Sequence, residues 1–62
     1  MFIKLTRRYT EEPVIIGVNH IMSIKDYEIV MNTQVKGYVH ISVRETADEI
    51  VNKIGGMSNG NY

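Results

Sequence analysis

Apolar and polar residues alternate along most of this chain, and the period of the alternation changes once. Across residues 2–8, Ile3 and Leu5 fall on one side and Lys4 and Thr6 on the other, the two-residue period of a half-buried strand. Thr10-Glu11-Glu12-Pro13 is a polar cluster whose proline cannot donate to a ladder, so it suits a turn or the first residue of a strand. Residues 14–16 are expected to return antiparallel beside the first strand, and Gly17 ends that run. Val18-Asn19-His20-Ile21 reads as a tight irregular connection or one short helical turn, after which Met22-Ser23-Ile24 resumes the alternation as a third strand. Lys25-Asp26 lies between two apolar runs and is placed to close a two-residue hairpin, without the glycine that such turns favour. Tyr27, Ile29 and Met31 then alternate with Glu28, Val30 and Asn32. Beyond residues 33–37, Val39, Ile41 and Val43 oppose Tyr38, His40 and Ser42, which makes a fourth and a fifth strand.

From Arg44 the period lengthens. Ala47, Ile50, Val51 and Ile54 stand at i, i+3, i+4 and i+7, the one-sided stripe of a helix. Thr46 with Glu49 three places on predicts a capping box, in which the hydroxyl takes the Glu49 amide and the carboxylate returns to the Thr46 amide. Asp48 and Glu49 suit the positive end of the helix dipole and Lys53 the other end, and Gly55-Gly56 is expected to stop the helix. The fold class that follows is mainly β with one C-terminal helix: a small antiparallel sheet of about five strands capped by an amphipathic helix. Residues 1–56 are expected to form the single domain and residues 57–62 a frayed tail, because Met-Ser-Asn-Gly-Asn-Tyr has little apolar content to dock.

Composition sharpens that picture. Ile occurs nine times and Val seven, against one Leu and one Ala, and β-branched side chains fit pleated strands better than helices. With 62 residues, the chain is one domain that buries only roughly 60% of the surface of its unfolded form. Disulfides are excluded by the absence of cysteine, and two histidines twenty positions apart do not match the spacing of a structural zinc site. Self-association is therefore the expected support, and the chain is expected to be a homo-oligomer. The longest apolar stretch, Val14-Ile15-Ile16-Gly17-Val18, is far short of the about 20 residues of a membrane-spanning helix. The charged positions Lys4, Arg7 and Arg8 interrupt any signal-peptide core, so a cytoplasmic address is expected. A formal net charge of zero argues against a generic polyanion binder.

The candidate chemistry is sparse. His20 and His40 are the side chains that normally titrate near neutrality, but His20 beside Asn19 is explained by a hydrogen bond to backbone, and His40 falls on the solvent side of its strand. Glu11-Glu12 reads as a solvated turn, and Glu45, Asp48 and Glu49 are absorbed by the helix start. The serines lack a nucleophile-elbow context, and Gly55-Gly56 follows a helix rather than preceding one. No catalytic residue, cofactor or metal site is expected, and no small-molecule substrate, since such sites need clefts of several hundred Å3. The informative feature is Lys4, Arg7 and Arg8 interleaved with Phe2, Thr6 and Tyr9. It suits an edge strand guarded by charge and, less directly, a single-stranded nucleic-acid platform. An interaction surface is expected over Lys4, Arg7, Tyr9, Tyr38 and His40.

Ile3-Lys4-Leu5-Thr6-Arg7 at the start, Val18-Asn19 with Ile21 and Ile24 in the middle, and Val43-Arg44-Glu45-Thr46 with Asp48-Glu49-Ile50 and Lys53-Ile54 at the end resemble the flagellar FlbD family, which includes swarming-motility proteins and short phage proteins. The resemblance keeps the family's order and approximate spacing over nearly the whole chain. The family often has an Asn-Gly hairpin where this chain has Thr33-Gln34-Val35-Lys36-Gly37. It implies a non-enzymatic interaction module that self-associates or binds a protein partner, in a flagellar or phage-encoded, host-modulating role.

A second resemblance is to the carbon-storage-regulator family of dimeric RNA-binding translational regulators, through Leu5-Thr6-Arg7-Arg8 with Ile16-Gly17 and through Val43-Arg44-Glu45. It implies RNA as a partner, with Leu5, Thr6, Arg7, Arg8, Val43, Arg44 and Glu45 facing it. The Gly-Ile-x-Ala-Pro stretch of that family is absent from this chain.

Overall fold

The computed structural model describes residues 1–58. Five strands and one helix follow one another: β1 (Phe2–Thr6), β2 (Pro13–Gly17), a 3-10 turn (Val18–His20), β3 (Ile21–Lys25), β4 (Glu28–Thr33), β5 (Gly37–Ser42) and α1 (Ala47–Ser58). The protein is mainly β with one C-terminal helix, as the change of period predicts. β1 and β2 form an antiparallel hairpin that pairs Ile3 with Ile16 and Leu5 with Val14, and β3, β4 and β5 form an antiparallel meander. The two sheets are stitched together just past the ends of β1 and β5. Arg7 bridges Val43, the Arg8 amide donates to the Ser42 carbonyl at 3.1 Å, and the Arg44 amide donates to the Thr6 carbonyl at 2.9 Å.

The alternation decides what is buried. Ile3, Leu5, Ile16, Ile29, Val43 and Ile50 make the core, drawn from both sheets and the helix, while Lys4 and His40 point to solvent. Val14, Val18, Ile21, Ile24, Met31, Ile41 and Ile54 pack around it half-buried. The capping box forms as expected: the Glu49 amide donates to Thr46 Oγ1 at 3.2 Å, and the Thr46 amide donates to Glu49 Oε1 at 2.9 Å.

Several local expectations are corrected. The β3–β4 hairpin turns on Asp26 and Tyr27 instead of Lys25-Asp26, because Lys25 pairs with Glu28. Tyr27 therefore leaves the strand, takes a left-handed φ of 69° and is exposed, although the alternation had grouped it with Ile29 and Met31. Non-local bonds hold it there: its amide donates to the Glu45 carbonyl, and its carbonyl accepts from the Val43 amide. In β3 the register shifts between Ile21 and Ser23, which puts Ile21 and Ile24 both against the core and leaves Met22 exposed.

The helix does not stop at Gly55-Gly56. It continues to Ser58, since these glycines keep a negative φ, and a glycine costs a helix about 1 kcal/mol without forbidding it. The expected tail thus begins inside the helix, and residues 59–62 lie outside the described residues. Val51 is exposed, so the buried stripe of α1 is the narrower line of Ile50 and Ile54. Finally, the His20 ring packs on Gly17 beside Phe2 and makes no hydrogen bond among the described residues.

Candidate functional site

The residues expected to form one interaction surface divide between two places. Arg7, Tyr9 and His40 line a shallow groove of about 170 Å3 where the β1–β2 turn passes the end of β5, and Tyr38 lies two residues before His40 on the same side of that strand. Lys4 belongs to a separate hollow with Phe2, Ile3 and Lys53. His40 Nδ1 lies 3.2 Å from Glu28 Oε2, an exposed pair across β4 and β5 that contributes little to stability.

The β5 edge beside that groove has a backbone consequence. Val43 donates to Tyr27, which fixes the odd-numbered residues of this strand as the ones bonded to β4. The backbone groups of Tyr38, His40 and Ser42 therefore point away from β4. Ser42 receives the Arg8 amide, while Tyr38 and His40 have no such partner among the described residues. The outer strands are guarded differently. β2 opens with Pro13, and β3 carries its register shift and Lys25, whereas β5 has neither proline, lysine nor bulge.

Of the seven positions implied to face RNA, Leu5 and Val43 are in the core, 1% and 0% exposed, and have no side chain to offer a ligand. Thr6 and Glu45 are half-buried, and the Glu45 carboxylate is turned onto the backbone, the Thr6 amide donating to Glu45 Oε1 at 3.1 Å. Arg7, Arg8 and Arg44 remain exposed.

Arg8 and Arg44 meet in a cleft of about 370 Å3, together with Glu11 and Tyr27. Three chain segments build it: the β1–β2 turn brings Arg8 and Glu11, the β3–β4 turn brings Tyr27, and the β5–α1 connection brings Arg44. The stitching bonds between residues 6–8 and 42–44 fix their separation. The Arg8 guanidinium lies over the Tyr27 ring, 4.7 Å from its centroid, and 5.8 Å from that of Tyr9. Arg44 Nη1 meets Glu11 Oε1 at 2.9 Å. A core this small gave no reason to expect a cleft of that volume, and the core does not line it; surface turns do.

Glu11 and Tyr27 are the members that the chain order hides. Glu11 reads locally as a solvated turn residue and Tyr27 as a strand residue, and they come together only because both turns pack beside residues 43–45. Among the described residues no group of His, Asp or Glu is arranged to hold a metal ion, and no helix is long and apolar enough to cross a membrane. Compared with protein-family models, curated proteins and solved structures, the chain matches none.

Proposed function

We propose that this protein is a small non-enzymatic interaction module that self-associates by pairing its β5 edge with that of a second copy, and so presents a joined surface to a protein partner. The observation that supports this reading is the unguarded edge at Tyr38 and His40, whose backbone groups extend the ladder begun by Arg8 and Ser42. Antiparallel pairing about a two-fold axis at Val39 sets Tyr38 of one copy opposite His40 of the other, an isologous contact that uses the same groups on both sides. A domain with so little internal burial gains stability from the added surface. The FlbD-like pattern of the first and last segments is in keeping with a flagellar or phage-encoded adapter.

Light scattering behind a sizing column, run from micromolar to millimolar protein, tests the proposal. Wild-type chain is expected to give a concentration-dependent dimer. His40→Pro is expected to give a monomer with an unchanged circular-dichroism spectrum, because proline is tolerated on an edge strand where the lost N–H faces outward. A wild-type monomer at millimolar concentration, or a folded His40→Pro that still dimerises, would sink the idea.

A further inference from the structure

The cleft between the turns combines features that edge pairing does not use. Its two guanidiniums, Arg8 and Arg44, face one carboxylate, Glu11, which leaves a local excess of one positive charge in a chain of net charge zero. Arg8 has its Cζ over the rings of Tyr27 and Tyr9, 4.7 and 5.8 Å from their centroids, and no carboxylate partner among the described residues. A guanidinium that rests on aromatic rings and has no carboxylate partner keeps N–H donors for bidentate bonding to an oxyanion. Arg44 is the second donor, and its present acceptor, Glu11, is exposed and therefore replaceable at small cost.

Backbone conformation singles out the same place. Glu11 at φ 60° and Tyr27 at φ 69° are the non-glycine residues with left-handed backbone among the described residues, and both line this cleft. Such conformations are sparsely populated and concentrate at ligand-binding sites. At Glu11 the conformation is closed by its amide donating to the Arg7 carbonyl at 3.0 Å, which carries the carboxylate to Arg44.

We propose that this cleft binds the phosphate of a nucleotide unit, and that Glu11 is its built-in competitor, released from Arg44 when the phosphate enters. A phosphate monoester carries nearly two negative charges at neutral pH and matches Arg8 and Arg44 together once Glu11 swings out, which a single carboxylate does not. The volume of about 370 Å3 lies at the small end of the range for ligand clefts and accommodates one nucleotide. Tyr9, 82% exposed and beside Arg8, offers the open aromatic ring on which a base stacks. The unit is either a free mononucleotide or the 5′-phosphorylated terminal residue of a single strand, and both present the same phosphate monoester.

The test is titration of 15N-labelled full-length protein with AMP, adenosine, inorganic phosphate and a 5′-phosphorylated oligoadenylate, following the backbone amides. AMP is expected to shift Arg8, Tyr9, Tyr27 and Arg44, and adenosine to shift none of them. The oligoadenylate separates the two sources. If it binds more tightly than AMP, the nucleotide belongs to a strand; if the two bind equally, it is free.

Arg8→Lys keeps the charge but loses the fork and is expected to weaken AMP roughly tenfold. Glu11→Asn removes the competitor while tolerating the left-handed turn, and is expected to tighten AMP several-fold. Unchanged amide dispersion shows that each variant is folded. The proposal is overturned if neither AMP nor the oligonucleotide binds at millimolar concentration, if inorganic phosphate binds as tightly as AMP, or if a folded Glu11→Asn binds no better than wild type.

Discussion

Asp26 caps a helix that begins twenty-one residues after it, its Oδ1 accepting the amide N–H of Ala47 at 2.8 Å. With the Thr46–Glu49 box, this satisfies the first helical donor from outside the helix and ties the β3–β4 turn to α1. Asp26→Ala removes the acceptor and is expected to cost about 1 kcal/mol. In a domain of this size that corresponds to a fall in Tm of about 4–8 °C. Asp26→Asn keeps an oxygen in place and is expected to lose less, and thermal unfolding of the two variants side by side checks both statements.

Glu49 adds a pH dependence to the same helix start. The bond from the Thr46 amide, then that from the Thr46 hydroxyl and the nearby charge of Lys53, outweigh slight desolvation and hold its carboxyl below the usual carboxylate range. A folded-state value below the unfolded one means that the stabilisation is complete above the unfolded value and is lost as pH falls through the folded one. Wild type and Glu49→Gln are therefore expected to differ most in Tm near neutrality and to converge in acid. A difference that stays constant down to low pH would show that the carboxylate charge contributes nothing.

The parts of this fold that are legible in the chain are those written in neighbouring residues. The opposite burial of Ile3 and Leu5 against Lys4, and the bonds of Thr46 with Glu49, arise within one period of their own element, so the sequence order displays them directly. Tyr27 is the contrary case: its turn conformation is imposed by bonds to Val43 and Glu45, sixteen and eighteen positions away, which override an alternation that continues through it. The cleft is hidden for the same reason. Arg8 and Arg44 stand out as basic residues near the two ends of the sheet, but Glu11 and Tyr27 join them only through three turns distant in the chain. Asp26 on Ala47 is equally silent.

Ile50 and Val51 test how narrow the buried stripe of the helix is. Both belong to the same periodic pattern, yet Ile50 is 0% exposed and Val51 is 54%. Ile50→Ala leaves a hole in the buried core cluster and is expected to cost about 2–5 kcal/mol. For a domain of marginal stability this is enough to unfold much of the population at ordinary temperature. Val51→Ala removes only solvated surface and supplies a better helix former, so urea unfolding is expected to show no loss and a gain of up to about 0.5 kcal/mol.

Two glycines with open space around them should respond in opposite ways to the same added methyl. A Cβ on Gly37 or on Gly56 meets nothing within 4 Å, so sterics with neighbours do not distinguish them. Backbone conformation does. Gly37 takes φ 74° at the start of β5, a region that an L side chain enters at a cost of about 1–2 kcal/mol, whereas Gly56 lies within α1 at negative φ. Gly37→Ala is expected to lower stability by about 1 kcal/mol, and Gly37→Asn by less, since asparagine tolerates the left-handed region. Gly56→Ala replaces a poor helix former with the best one and is expected to raise stability by up to about 1 kcal/mol. Chemical denaturation of the three variants decides the matter, and a loss of stability in Gly56→Ala would place the end of the helix before that residue in solution.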